Sequence, residues 1–210
     1  KLIYKKNNEI SYDDNGNIIN TGLSVSEDLG KSWSLLSNGI FKEYIISDST
    51  IFYFKNSGIE TVIMSANIKT PNVSNEFLKI SDFYPSSSYT HYAKIHVANG
   101  LFGFSYRYLN SNSEWETGLA IKDLVNEASE LVHYKYPVKG MYIDDFYPLN
   151  ADTIVALTYG TTELFGIKYL KTNTNTWEHK STIFGDYLVS LSKTKYFVSG
   201  VGRTPLPMVL

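Results

Sequence analysis

Asp144 and Asp145 stand side by side in the run DDFYP (144–148), Asp82 heads the similar run DFYP (82–85), and Asp13 and Asp14 form another carboxylate pair. Two carboxyl groups about 5–9.5 Å apart across a bond are what glycoside hydrolysis needs, one as acid and the other as base or nucleophile. Neighbours on a strand point to opposite faces, so neither adjacent pair makes such a site by itself. Asp13-Asp14-Asn15-Gly16-Asn17 has the composition of a hairpin turn. The repeated Asp-Phe-Tyr-Pro reads as packing grammar, with proline ending a strand and aspartate bonding backbone at its end. The segment YPSSSYTHY (84–92) offers a different chemistry, because a tyrosine ring stacks on a sugar face while nearby carboxylates accept its hydroxyl hydrogens. Asp82, Tyr84, Tyr89, Asp144, Asp145 and Tyr147 are therefore the candidate ligand-binding residues.

Other reaction classes are poorly served. The four histidines, His91, His96, His133 and His179, lack metal-ligand spacing; His91 and His96 are five apart on one expected strand, which places them on opposite faces. No cysteine is present, so there is no thiolate ligand, no cysteine nucleophile and no disulfide framework. Nucleophile-elbow, phosphate-loop, dinucleotide and EF-hand patterns are all missing, and neither a metal nor a cofactor is expected. A net charge of −2 with scattered lysines gives no basic field for a phosphate backbone, so nucleic acid is not an expected partner. No apolar run reaches the ~18 residues of a membrane helix. The first residue is Lys, which suggests a processed product, an excised domain or part of a longer polypeptide.

The elements that must position these residues read as strands. The chain is 43% hydrophobic and 15% aromatic, with 17 Tyr and 11 Phe, side chains that suit a pleated, half-buried surface. Laid on itself, the sequence matches SDFYP (81–85) to DDFYP (144–148) and LFG (101–103) to LFG (164–166) at one shift. After each LFG come a tyrosine-bearing strand, an Asn/Ser/Thr turn and a tryptophan, Trp115 or Trp177. Gly22–Trp33 fits the same frame, and Asp48–Phe54 resembles Asp152–Leu157. Units of ~40 residues are the length of a four-stranded propeller blade. The expected fold is thus an all-β propeller of four-stranded antiparallel blades, five in number or a slice of a larger ring, in one domain over 1–210. Blades fall at 1–37, 38–80, 81–121 and 140–182, with a partial one at 183–210. MYIDDFYP, TIVALTY, LFGIKYLK and TWEHKS are the four strands of the 140–182 unit. Leu124, Ala128 and Leu131 predict a short helix over 122–132 in an insertion spanning 122–139. The N-terminal LIYKKNNEI is expected to complete the last blade.

SEDLGKSW (26–33) has a tighter signature. Asp28 can accept backbone N–H groups of its own turn, Gly30 can take positive φ, and Trp33 can cap the sheet edge with a large apolar face. Ser26, Asp28, Gly30, Ser32 and Trp33 match every fixed position of the Asp-box, or BNR repeat, so the stretch resembles that of sialidase-type propellers. In that family the box is a structural turn on the blade's outer rim, away from the central channel where ligands bind. The turns LNSNSEW and KTNTNTW look more like the outer turn of kelch-type blades.

The resemblance also implies three arginines clamping a sialic acid carboxylate, and this chain has only Arg107 and Arg203. A sialidase is excluded on that count. The expected function is a non-catalytic recognition module for a surface glycan or receptor, extracellular or on a cell or virion surface, similar to adhesins and phage tail-fibre propellers. A protein-interaction scaffold in a larger assembly, docking through 122–139, is the alternative. A glycoside hydrolase using Asp82, Asp144 or Asp145 is the third.

Overall fold

The computed structural model describes residues 3–7, 11–12, 18–19, 22–38, 41–57, 60–70, 73–80, 91–126, 128–159, 166–182, 187–192, 195–199 and 208–209. The chain forms two compact units, Lys1–Ser86 and Ser87–Leu210. Among the described residues the regular elements are strands apart from a single 3-10 position at Ile80, in keeping with the aromatic and β-branched composition.

In the first unit, β1 (Ile3–Asn7), β4 (Gly22–Ser26) and β5 (Ser34–Asn38) form a three-stranded sheet in that order. The short β2 (Ser11–Tyr12) and β3 (Ile18–Ile19) pair as a hairpin, whose expected turn at 13–17 lies outside the described residues. β1 does not complete the last sheet of the chain; it pairs with β4, Ile3 opposite Ser26, because the short connection through the β2–β3 hairpin offers a near partner. Next come β6 (Phe41–Ser47), β7 (Thr50–Ser57), β8 (Glu60–Asn67) and β9 (Ser74–Lys79), a four-stranded antiparallel meander. β7 is buried on both faces over Ile51–Phe54. Ile51 and Tyr53 cluster with Ala66, while Phe52 meets Phe77 edge-on at 5.0 Å. This double burial is why IFYF lacks polar alternation.

The second unit repeats the meander. β10 (His91–Ala98), β11 (Leu101–Leu109), β12 (Trp115–Asp123) and β13 (Val132–Lys135) form one sheet; β14 (Tyr142–Asn150), β15 (Thr153–Tyr159), β16 (Gly166–Lys171) and β17 (Thr176–Ser181) form another. β18 (Tyr187–Ser192), β19 (Lys195–Ser199) and β20 (Met208–Val209) make a three-stranded sheet. The first two strands of the β10 sheet turn through Asn99 and Gly100, both at positive φ, the Asn-Gly signature of a two-residue hairpin. β14 packs against β10, β11 and β12 and also against β18. Between these two four-stranded sheets lies an apolar cluster with Leu101, Leu119, Ile121, Ile143, Phe146 and Ile154 among its members.

Two expectations are corrected. No α-helix forms in the described part of 122–132; Lys122 and Asp123 end β12, and Val132 begins β13. Asp123 takes over the local amides instead. Its carboxylate accepts from the N–H of Val125 (2.8 Å) and Asn126 (3.3 Å), its carbonyl accepts from Ser129 Oγ, and the Leu124 amide reaches Gly100 O. The Asp123 carbonyl, which would accept an amide in a helix's first turn, is thereby occupied by the Ser129 hydroxyl, and the Leu124 amide is drawn across to Gly100. The segment joins the third and fourth strands of one sheet rather than separating two units.

The internal repeat is also out of phase with the sheets. LFG at 101–103 opens β11, the second strand of its sheet, whereas Gly166 of the later LFG opens β16, a third strand. Likewise Trp115 begins a third strand and Trp177 lies in a fourth. The two glycines serve different ends. A Cβ on Gly103 would lie 2.5 Å from Ile121 Cδ1 and 3.0 Å from the Phe146 ring; Gly166 has φ +115° and would press a Cβ onto the Ser181 carbonyl. What recurs is a hairpin with a polar turn. First strands begin at residues 41, 91, 142 and 187, wider than the ~40-residue period of a minimal blade.

Candidate functional site

The turn 26–33 is closed on Asp28. Its Oδ1 accepts from Ser26 Oγ (2.8 Å) and the Ser32 N–H (2.8 Å), and Oδ2 accepts from Ser32 Oγ (2.7 Å). The Gly30 N–H donates to Ser26 Oγ, and Trp33 Nε1 donates to the Gly30 carbonyl at 3.1 Å. Leu29 and Gly30 both take positive φ, so a non-glycine residue shares the left-handed bend. The Ser32 amide, the Ser32 hydroxyl and the Ser26 hydroxyl together hold the Asp28 carboxyl down at about 2. Every bond stays within the turn, which leaves the carboxylate engaged in holding shape.

Among the expected ligand-binding residues, Asp82, Tyr84 and Tyr89 lie outside the described residues. Asp144, Asp145 and Tyr147 share β14, the edge strand of its sheet. Asp144 is the extra residue of a β-bulge, since Ile143 pairs with Thr158 and Asp145 with the adjacent Leu157. The bulge brings Ile143 and Phe146, three apart, into one apolar cluster, which an unbroken strand forbids. Asp145 is buried, and its Oδ1 lies 2.6 Å from His96 Nε2 while accepting the Phe146 N–H at 2.9 Å. His96 comes from β10 and meets Phe146 edge-on at 4.9 Å. Tyr147 packs on the other face with Val155, Leu157 and Ile167. A second tie runs beside the first, Asn99 Nδ2 donating to the carbonyls of Pro148 and Leu149. The proline does not end the strand; β14 continues to Asn150, since an edge strand tolerates the missing N–H.

A polar clamp braces the 110–114 turn. Glu116 accepts from Lys135 Nζ (2.7 Å), Tyr108 Oη (2.5 Å) and Asn110 Nδ2 (2.9 Å). Lys135, then Tyr108 and Asn110, hold its carboxyl down at about 2, while burial and Glu116 push the Tyr108 phenol up. In the next sheet the buried Lys168 places Nζ 2.5 Å from His179 Nδ1; burial lowers the pKa of both, with the lysine's charge adding to the effect on the histidine.

A further aromatic group lies outside the set expected to bind a ligand. The Arg107 guanidinium lies between two rings, 3.9 Å from the Trp115 centroid and 3.7 Å from that of Tyr142. Tyr142 is the register partner of Tyr159, with ring centroids 6.4 Å apart, and the two are 36% and 53% exposed. Counting outward from the β14–β15 turn would put Tyr142 two residues away from Tyr159. The bulge at Asp144 and a second shift between Pro148 and Asn150 bring them opposite. Among the described residues no group of three or more His, Cys, Asp or Glu is placed to hold a metal ion. No family model matches the chain, and no curated protein sequence matches it.

Proposed function

We propose that the chain is a non-catalytic recognition module whose sheets are successive blades of a β-propeller, and that it binds a glycan displayed on a cell or virion surface. The observation that carries this reading is the exposed Tyr142–Tyr159 pair, backed by the packed Trp115 and Arg107. Aromatic faces that are rigid on one side and open on the other suit sugar stacking. The propeller is supported by three four-stranded antiparallel meanders in chain order and, within the second unit, by first strands β10, β14 and β18 packing in succession. Asp145 bears against the hydrolase reading, because a buried carboxylate tied to His96 is a poor acid or nucleophile for a sugar in a cleft. The test is glycan-array binding of the chain and of Tyr159→Ala, with a turnover assay on each hit. Binding without turnover, weakened roughly tenfold or more in the variant, is expected. Undiminished binding by the variant, or hydrolysis of a bound glycan, overturns the reading.

One feature favours a scaffold as the second reading. Val125 and Val132, on the 122–139 segment, are 82% and 48% exposed. A subunit docked there would cover both. Absence of any array hit, together with a partner protein protecting Val132 from hydrogen exchange, would move the assignment to the scaffold.

A further inference from the structure

We infer that Arg107 is a carboxylate-binding group, so that the glycan taken by this surface is an acidic one of the hexuronic-acid class; this rests on the glycan reading above. Trp115 and Tyr142 cover both flat faces of the guanidinium, and its Nε is buried without a hydrogen-bond partner. Lys135 pairs with Glu116, Lys139 with Glu114 and Lys180 with Glu178, and none of these acids meets Arg107, whose contacts are the two rings. A guanidinium held this way loses water from both faces, an arrangement that an incoming anion relieves. With the faces closed, the remaining polar outlet is the in-plane N–H edge, whose fork matches a planar carboxylate. A single cation balances a monoanion; a phosphate dianion calls for several. Tyr142, which covers one face, is paired with Tyr159, so the carboxylate would sit beside the exposed rings that receive the sugar body.

The experiment titrates the chain with glucuronate, with glucose and with inorganic phosphate while following the Arg107 Nε–H resonance, and repeats the affinities with Arg107→Gln and Arg107→Lys. Glucuronate is expected to move that resonance and to bind about tenfold or more tightly than glucose, a preference that both variants lose. Equal affinity for glucuronate and glucose overturns the inference, as does a resonance unmoved at saturation or phosphate binding more tightly than glucuronate. The wild-type comparison decides the matter even if a variant fails to fold. Array hits confined to neutral glycans leave the glycan reading standing and this inference overturned. A glucuronate-shifted resonance with no oligosaccharide held on the array supports the carboxylate site and removes the glycan reading.

Discussion

Asp28 and Asp145 each accept a backbone amide and a side-chain partner, yet the two regions are built on different scales. Asp28 draws every partner from within four positions, Ser26 and Ser32, and stands exposed at the tip of a turn. Asp145 takes its second partner, His96, from 49 positions away on another sheet and is buried between them. The first arrangement fixes the path of a loop. The second holds two sheets together beside the apolar cluster between them, and its removal should be felt by the whole second unit.

The apolar half of that tie gives the largest expected effect. Phe146 is fully buried, meets His96 edge-on and lies so close to β11 that a Cβ at position 103 would stand 3.0 Å from its ring. Phe146→Ala should lower the stability of the second unit by about 3–5 kcal/mol in chemical denaturation. A loss no larger than that of a surface substitution would mean that the sheets do not depend on this contact.

The polar half comes next. Asp145→Ala removes the acceptor of the Phe146 amide and the partner of His96 inside the protein, at an expected cost of about 3 kcal/mol. Asp28→Ala should unfold at a higher denaturant concentration than Asp145→Ala. Equal midpoints would erase the distinction between a turn device and an inter-sheet tie.

That distinction is also where sequence reading stops. The turn at 26–33 is legible because each bond is set by spacing along the chain, and all four strands of the β14 sheet are legible because alternation and turn residues are local signals. The neighbouring sheet is misread by one strand. Its LFG and its tryptophan belong to a hairpin that looks like the later one, while its place in the sheet depends on stacking that no short window records. Asp123 shows the same limit in reverse: helical spacing of Leu124, Ala128 and Leu131 is outweighed where Ser129 takes the Asp123 carbonyl and the Leu124 amide reaches Gly100. For the candidate site the obstacle is the bulge. Each first strand of the four-stranded sheets carries a register shift, and in β14 two shifts move Tyr142 opposite Tyr159. Arg107 reads as one isolated cation until β11, β12 and β14 bring their side chains around it.

The Asp28 carboxyl is held down at about 2 from an ordinary 3.8, chiefly by the Ser32 amide, then by the Ser32 and Ser26 hydroxyls. Because the folded value is depressed, the unfolded chain binds more protons in this range. The contribution of the turn is complete above the unfolded value, declines as pH falls below it and is gone once pH passes below about 2. Carboxyl-detected NMR titration should place the Asp28 midpoint near that value. Ser32→Ala should raise the midpoint without restoring the ordinary one, since the Ser32 N–H remains. Asp145→Ala should leave it unchanged wherever that variant is folded, because none of the partners of Asp28 lies beyond its own turn. An unperturbed Asp28 midpoint in the wild type would show the carboxylate to be solvated rather than closed upon. A midpoint that moved with Asp145 would show that the turn is not the local device its spacing implies.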